Sequence, residues 1–313
     1  MENKIDVSII IVSWNVSSIL DQCLSSIKRS INCSSREIIV IDNASADDTV
    51  DMLSTKHKDV ILLRNNSNVG FAKACNQGIN VSNGRFMLLL NPDTVLKNDF
   101  KEILMFMEER NDCGIVGCQL VYENGQRAIS FQNFPTILRI FTFYTGIAAV
   151  LKISLVNNLI RPLYYLVPKQ SGHKRHINST EEVDSIVGAF FLFQKAIINK
   201  IGNFDENYFV YFEETDFCFR AKQAGYKNYV YPHYSVMHYE GKSTEKTNYK
   251  YLIYYTNSLK YFFKKNYPRH YYMLALVVLK ISILFRVLVL VPCILFNKDV
   301  FERIKVYLEM FKL

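Results

Sequence analysis

The sequence predicts an α/β fold: a mostly parallel sheet covered by helices on both faces, followed by a helical tail. Three observations carry this reading. Short runs of Ile, Val and Leu alternate with stretches of helical periodicity over roughly the first 120 residues. The polar clusters Ser13-Trp14-Asn15, Asp42-Asn43 and Asn91-Pro92-Asp93 each close such a run. After Lys246 the composition changes to interleaved tyrosines and lysines, then to a long apolar stretch. Apolar strands with polar ends, separated by helices, are what a sheet buried on both faces needs, and ligands bind such sheets at the carboxyl ends of the strands.

Taken in order, Val7–Val12 is the first strand, and a helix follows near Ile19–Lys28. Glu37–Ile41 is the second strand. Ser45, with Asp48 three residues on, has the form of a capping box opening the next helix. Val60–Leu63 is the third strand, Phe71–Ile79 a helix, Phe86–Leu90 the fourth strand, and Ile103–Met107 lies in another helix. Residues 136–168 form an apolar, aromatic insertion that includes Phe141, Phe143, Tyr144, Tyr164 and Tyr165. A second core-like region runs from Val183 to Tyr239. This divides the chain into a catalytic domain, 1–245, with an insertion at about 135–170, and a C-terminal helical region, 246–313.

Half of the 313 residues are apolar, enough for one large core. The net charge of +8 suits anionic partners such as phosphates and acidic lipids. The seven cysteines include no Cys-x-x-Cys pair, which reads as buried, reduced thiols rather than a zinc site. No secretory signal is evident, because the run Val7–Trp14 is short and carries Ser8 and Ser13. The chain also lacks Gly-x-Gly-x-x-Gly, and Gly241-Lys242-Ser243 is no P-loop, since Val236 stands where that motif needs its first glycine.

The residues able to carry chemistry fall into five places. Asp93, ending Leu-Leu-Leu-Asn-Pro-Asp, can hold a divalent cation that bridges two phosphates, or simply close an Asx-type turn. Asp42 can accept a hydrogen bond from the N3–H of a pyrimidine, or cap a helix. Asn68-Val69-Gly70-Phe71-Ala72 enters a helix, where Gly70 permits close backbone approach and the helix start favours an anion. Glu213-Glu214-Thr215-Asp216 follows an aromatic run. Clustered carboxylates beside aromatics raise one another's pKa, as suits a base near neutral pH, and the alternative is a solvated helix start. His238 can ligate a metal, contact a pyrophosphate, or serve only structure.

In this order the clusters resemble the bacterial glycosyltransferase family 2 enzymes with a GT-A fold, especially the rhamnosyltransferase-like branch. The matching pieces are Val7–Asn15, Val40–Ser45, Asn68–Ala72, Asn76-Gln77-Gly78, Leu90–Asp93, Gly188-Ala189-Phe190, Phe212–Arg220 with Gly225-Tyr226, and His238–Ser243. The resemblance implies that Asp42 recognises the pyrimidine and that Ser13, Trp14 and Asn15 line the nucleoside pocket. Asn68, Gly70, Phe71, Asn76 and Asn91 fall in the same donor-binding motifs. Asp93 is implied as the metal ligand, with Asn91 where many relatives carry an acid, and His238 as a contact to the donor pyrophosphate or its metal. Glu214 falls where many relatives carry an aspartate as base, with Glu213 and Asp216 as alternatives. The resemblance also implies Mg²⁺ or Mn²⁺, inversion at the anomeric carbon, a nucleoside-diphosphate-sugar donor with dTDP-rhamnose as first choice, and a glycan or lipid-linked glycan acceptor. A nucleic-acid partner is not expected.

Two rival functions remain at this level. A nucleotidyltransferase usually needs a glycine-rich, basic N-terminal loop, which Ser13–Ser17 does not provide. A non-catalytic scaffold predicts lost acids, yet Asp42, Asp93 and Glu214 are present. The tail places the protein at the cytoplasmic face of a membrane. Tyr271–Phe296 exceeds the ~20 residues needed to span, but Lys280, Arg286 and Pro292 interrupt it. The expectation is a pair of amphipathic helices in the interface, with Lys280 and Arg286 snorkelling to anionic headgroups. The alternatives are a crossing helix, or a tail packed on the catalytic domain or on a second copy in a homodimer.

Overall fold

Strand β1 (Val7–Ser13) is apolar on both sides, and its neighbours explain why. In the computed structural model, which describes residues 5–30, 35–146, 177–239, 249, 251–292 and 298–312, β1 lies between two parallel partners. These are β2 (Arg36–Asp42) and β4 (Phe86–Leu90), and β3 (Ile61–Arg64) extends the parallel half beyond β2. The chain divides into two units, Met1–Phe134 with Ser171–Glu245, and Pro135–Gln170 with Lys246–Leu313. The segment read as an insertion in the catalytic domain therefore groups with the C-terminal region.

The first unit is a mixed, mostly parallel nine-stranded sheet flanked by helices. Its order is β3-β2-β1-β4-β10-β6-β11-β5, where β5 is Thr94–Leu96, β6 Cys113–Val121, β10 Phe190–Gln194 and β11 Lys227–His238; β8 (Glu181–Val183) pairs with β11. β10 runs antiparallel between β4 and β6, while β6 and β11 are parallel. A small second sheet joins β7 (Phe131–Gln132) to β9 (Ser185–Ile186).

Alternate residues of β1 feed two separate cores, because successive side chains of a strand point to opposite faces. Val7, Ile9 and Ile11 pack with Leu20, Cys23 and Leu24 of α1 (Ser17–Ser30). Ile10 packs on the other face with Ala72, Cys75 and Ile79 of α3 (Phe71–Val81). Helix α4 (Lys101–Glu108) covers the first face through Ile103, Leu104 and Met107. The short α6 (Ile198–Ile201) and α7 (Glu213–Gln223) cover the second. Cys23, Cys75, Cys113, Cys118 and Cys218 are buried free thiols, and burial pushes the Cys23, Cys113 and Cys218 thiols up to about 12.

One local expectation fails. Helix α2 (Thr49–Lys56) follows Asp48, which makes no side-chain cap hydrogen bond, so Ser45 and Asp48 form no capping box. Asp47 takes over the capping, because its carboxylate accepts from the N–H groups of Thr49 and Ser17 at 3.1 and 3.0 Å. Ser45 faces the β1 end instead and accepts from the Asn15 N–H at 3.0 Å. Short polar side chains serve turns as readily as caps, and here the turn wins.

In the second unit, α5 (Ile137–Thr145) starts at Thr136, whose hydroxyl caps it, and stops at Gly146 in the left-handed conformation. Helices α8 (Tyr251–Asn266), α9 (Arg269–Leu290) and α10 (Lys298–Lys312) follow. The Tyr271–Phe296 stretch begins within one 22-residue helix rather than a pair, and Pro292 falls just beyond its end. Tyr164, Tyr165, Cys33, Cys293 and residues 240–248 lie outside the described residues.

Candidate active site

The carboxyl ends of the parallel strands gather the first group of polar residues. Register sets Ser13 beside Asp42 at the ends of β1 and β2, and both are buried. Asn43 N–H donates to the Ser13 carbonyl at 2.8 Å, which joins the two turns. Asn15, with φ 54°, accepts at its Oδ1 from the Ala46 N–H at 2.7 Å, and Ala44 has φ 63°. These left-handed positions fold both chain ends back around the strand edge. The Ser13 hydroxyl is buried and has no hydrogen-bond partner among the described residues. Such a group costs free energy unless a ligand or water completes it. Trp14 leaves its indole half exposed at the same turn.

Asn43 organises the neighbouring loop. Its amide oxygen accepts from the Asn65 side chain and the Val69 N–H, and its NH₂ donates to Asn68 Oδ1 and the Gly70 carbonyl, all at 3.0–3.2 Å. Gly70 has φ +87°, and a Cβ there would lie 2.6 Å from the Phe209 carbonyl. That carbonyl accepts from the Phe71 N–H at 2.7 Å. Only glycine fits this left-handed, crowded position. Asn68 is thereby committed to shaping the loop. Asn76 is committed further away: its amide donates to the Phe204 carbonyl and Glu206 and accepts from the Phe204 N–H. It holds the 204–206 segment to α3.

The third strand-end cluster follows β4. Asp93 is 1% exposed, and the pairing of His238 with Thr94 between β11 and β5 brings the imidazole beside it. His238 Nε2 lies 3.2 Å from Asp93 Oδ1, and the Tyr239 N–H donates to the Asp93 carbonyl at 2.9 Å. Asn91 is pinned through its backbone, whose N–H donates to the Ala189 carbonyl and whose carbonyl accepts from the Thr94 hydroxyl. Among the described residues no three acids, histidines or cysteines form a closed cage. One buried carboxylate, one imidazole and a neighbouring amide fit a hard cation that takes most of its ligands from phosphate and water.

The acids of α7 occupy different surroundings. Two consecutive left-handed residues, Tyr211 and Phe212 at φ 68° and 71°, turn the chain into the helix. Such conformations are costly for aromatic residues, and this pair sits directly before the acids. Glu213 is buried, and its carboxyl is held well above the usual range, by burial first and by the neighbouring Glu214 charge second. Glu214 is partly exposed, and its carboxyl is also raised, chiefly by burial. Asp216 is fully buried and differently committed: Arg220 Nε donates to it at 2.7 Å and the Tyr208 hydroxyl at 3.4 Å. The rest of the Arg220 guanidinium donates to the carbonyls of Ile201, Gly202 and Asn203. Asp216 therefore belongs to an ion-paired brace and leaves the set of candidate bases. The i,i+4 spacing of Asp216 and Arg220 was the available signal for that brace. The Asn43 hub had no comparable signal, because its partners lie 22 to 27 positions away.

An open α/β sheet with buried polar residues at its strand ends, a cation-compatible acid and a separate raised carboxyl fits a GT-A-type fold. The model of the family "Glycosyl transferase family 2" matches residues 8–202, and the chain belongs to that family. The hexosyltransferase Agl10 of low-salt glycan biosynthesis from Haloferax volcanii is 25% identical over 70% of this chain. The N-acetylglucosaminyl-diphospho-decaprenol L-rhamnosyltransferase of Mycobacterium tuberculosis is 23% identical over 66% of this chain and 67% of its own length. The rhamnosyltransferase WbbL of Escherichia coli is 25% identical over 49% of this chain and 52% of its own. GalNAc-T7, crystallised with UDP, GalNAc and Mn²⁺, shares the fold with a TM-score of 0.57 at 14% identity, over 84% of this chain. The chain spans 62% of the length of Agl10 and 48% of the GalNAc-T7 chain.

Proposed function

We propose that this chain is an inverting glycosyltransferase of cell-surface glycan synthesis. It takes a sugar from a nucleoside diphosphate, with dTDP-rhamnose as the first candidate, and passes it to a glycan or lipid-linked glycan. The observation that carries this reading is the convergence of Ser13, Asp42 and Asp93 on one sheet edge, with the raised Glu213–Glu214 pair on a segment bound to the start of α3. The rhamnosyltransferase names of two relatives favour the deoxysugar donor.

Ser13, Trp14 and Asp42 line the nucleoside end. Asp93 and His238, beside Asn91, are the residues that would hold Mg²⁺ or Mn²⁺, which supplies charge neutralisation to the departing diphosphate. Glu214 takes the proton from the acceptor hydroxyl as its oxygen bonds to the anomeric carbon. The bond from that carbon to the diphosphate breaks in line, and the diphosphate leaves with the electron pair, inverting the centre. Glu213, more deeply buried, remains protonated beside Glu214 and limits the negative charge there.

The test is release of nucleoside diphosphate by purified protein from a panel of dTDP-, UDP- and GDP-sugars, with Mg²⁺, with Mn²⁺ and with chelator. Metal-dependent release from one diphosphate-sugar, giving product of opposite anomeric configuration, is the expected result. Consumption of a nucleoside triphosphate instead, or retention of configuration, overturns it.

A further inference from the structure

Helix α9 exposes what a water-facing helix hides. Met273, Val277, Ile281, Leu284 and Leu288 follow one another at helical spacing and are each 49–63% exposed, with Leu274, Phe285 and Val289 in the adjoining row. Only 28% of the helix's apolar window is buried. The exposed stripe from Met273 to Leu288 is about 22 Å long at 1.5 Å per residue. Contiguous apolar surface of this extent marks an interaction site.

Arg286 leaves that face unbroken, and Lys280 lies at its edge. Arg286 Nη1 donates to the Thr145 carbonyl at 3.3 Å, and its guanidinium fills the space beside Gly146, on the side packed against α5. Lys280 Nζ stands 5.5 Å from the Phe311 ring centroid of α10. Arg286 therefore turns toward α5 rather than outward, whereas Lys280 stays exposed beside α10. At one end of the stripe Lys264, Lys265, Arg269 and His270 are exposed around the α8–α9 junction. Beside them Phe263, Tyr267 and Tyr271 stack with centroids 5.0–5.9 Å apart.

An apolar stripe ending in a basic, aromatic collar is complementary to a lipid leaflet with anionic headgroups. Helix α10 decides how deep it goes. It packs along α9 and carries exposed Glu302, Lys305 and Glu309. A crossing would draw these charges into hydrocarbon, where charged side chains are strongly disfavoured.

We infer that α9 is a monotopic keel, its outward apolar face set into one leaflet of an anionic membrane with the Lys264/Lys265/Arg269 collar at the headgroups. This rests on the helical unit alone and not on the proposed reaction. The test uses the full chain with vesicles of phosphatidylcholine, pure or with 30% phosphatidylglycerol by design. The wild type should sediment with the anionic vesicles and be released by alkaline carbonate. Ile281→Glu with Leu288→Glu should weaken binding at least tenfold. Lys264→Glu with Lys265→Glu and Arg269→Glu, all at exposed positions, should abolish the preference for phosphatidylglycerol. Resistance of the wild type to carbonate would overturn the keel in favour of a crossing. Unchanged sedimentation of the Ile281/Leu288 variant, with light scattering showing a dimer become a monomer, would assign the face to a second copy. Unchanged lipid preference in a folded collar variant would also refute the proposal.

Discussion

The two units break the ordinary inside–outside rule in opposite directions. The α/β unit buries Asp42, Asp93, Glu213 and Asp216, which water would normally keep. The helical unit exposes Met273, Ile281 and Leu288, which water would normally exclude. Each departure has its own meaning. A polar group enters a core only with a partner, so the buried acids point either to internal partners or to ligands. An exposed apolar stripe points to an external partner that is itself apolar. Sorting the buried acids by what they touch separates them: Asp216 has Arg220, whereas one carboxyl oxygen each of Glu213 and Glu214, and the Ser13 hydroxyl, have no hydrogen-bond partner among the described residues.

The comparison breaks first at Glu214. Glu214→Gln should lower turnover by about 10²–10⁴-fold with donor affinity kept, since general bases contribute on that scale. Loss of donor affinity instead, measured by calorimetry, would move Glu214 to the donor side. In the wild type the pH profile should fall as pH drops through the raised Glu214 range, because the base must be ionised. Asp93→Asn should cost about 10²-fold or more and weaken Mn²⁺-dependent donor binding, because it removes the carboxylate that would hold the cation. Full activity in a metal-titrated assay would rule that role out. Asp216→Asn should act on folding, costing roughly 3 kcal/mol in denaturant melts, as breaking one side of a buried ion pair does. A catalytic loss without such destabilisation would return Asp216 to the candidate bases.

The smallest effect sharpens the comparison most. Glu213 has a folded pKa raised above its unfolded value, so its protonated form is favoured by the fold. Its burial is free of penalty below the ordinary carboxylate range, and stability falls as pH rises from there toward the folded pKa. Glu213→Gln should therefore raise stability at pH 8 and leave it nearly unchanged at pH 4, read in denaturant melts. Equal shifts at both values would show that packing, not charge, is what the substitution changes.

Much of this was legible in the sequence. The apolar runs around β1, β2 and β4 located those strands, because a strand buried on both faces has no other pattern available, and a shorter apolar run located the part-exposed edge strand β3. The strand-end acids followed from the fold. What the sequence hid depends on partners far along the chain. Asp47 rather than Ser45 serves the start of α2 because the Ser45 hydroxyl is taken by Asn15, thirty positions back. Asp216 is structural because Arg220 reaches it while holding three loop carbonyls. The exposed face of α9 was legible as apolar, but the inward turn of Arg286 depends on α5, more than 140 positions away.

The contact between Gly70 and Phe209 has one more consequence. The loop entering α3 and the segment leading to the acids meet through a backbone carbonyl, with a glycine where any side chain would collide. No rotamer change can relieve such a collision. Sequence drift in the two segments is therefore coupled: residue 70 stays fixed while the 209 backbone stays where it is. Any change that rebuilds the first loop must carry the path of the second with it.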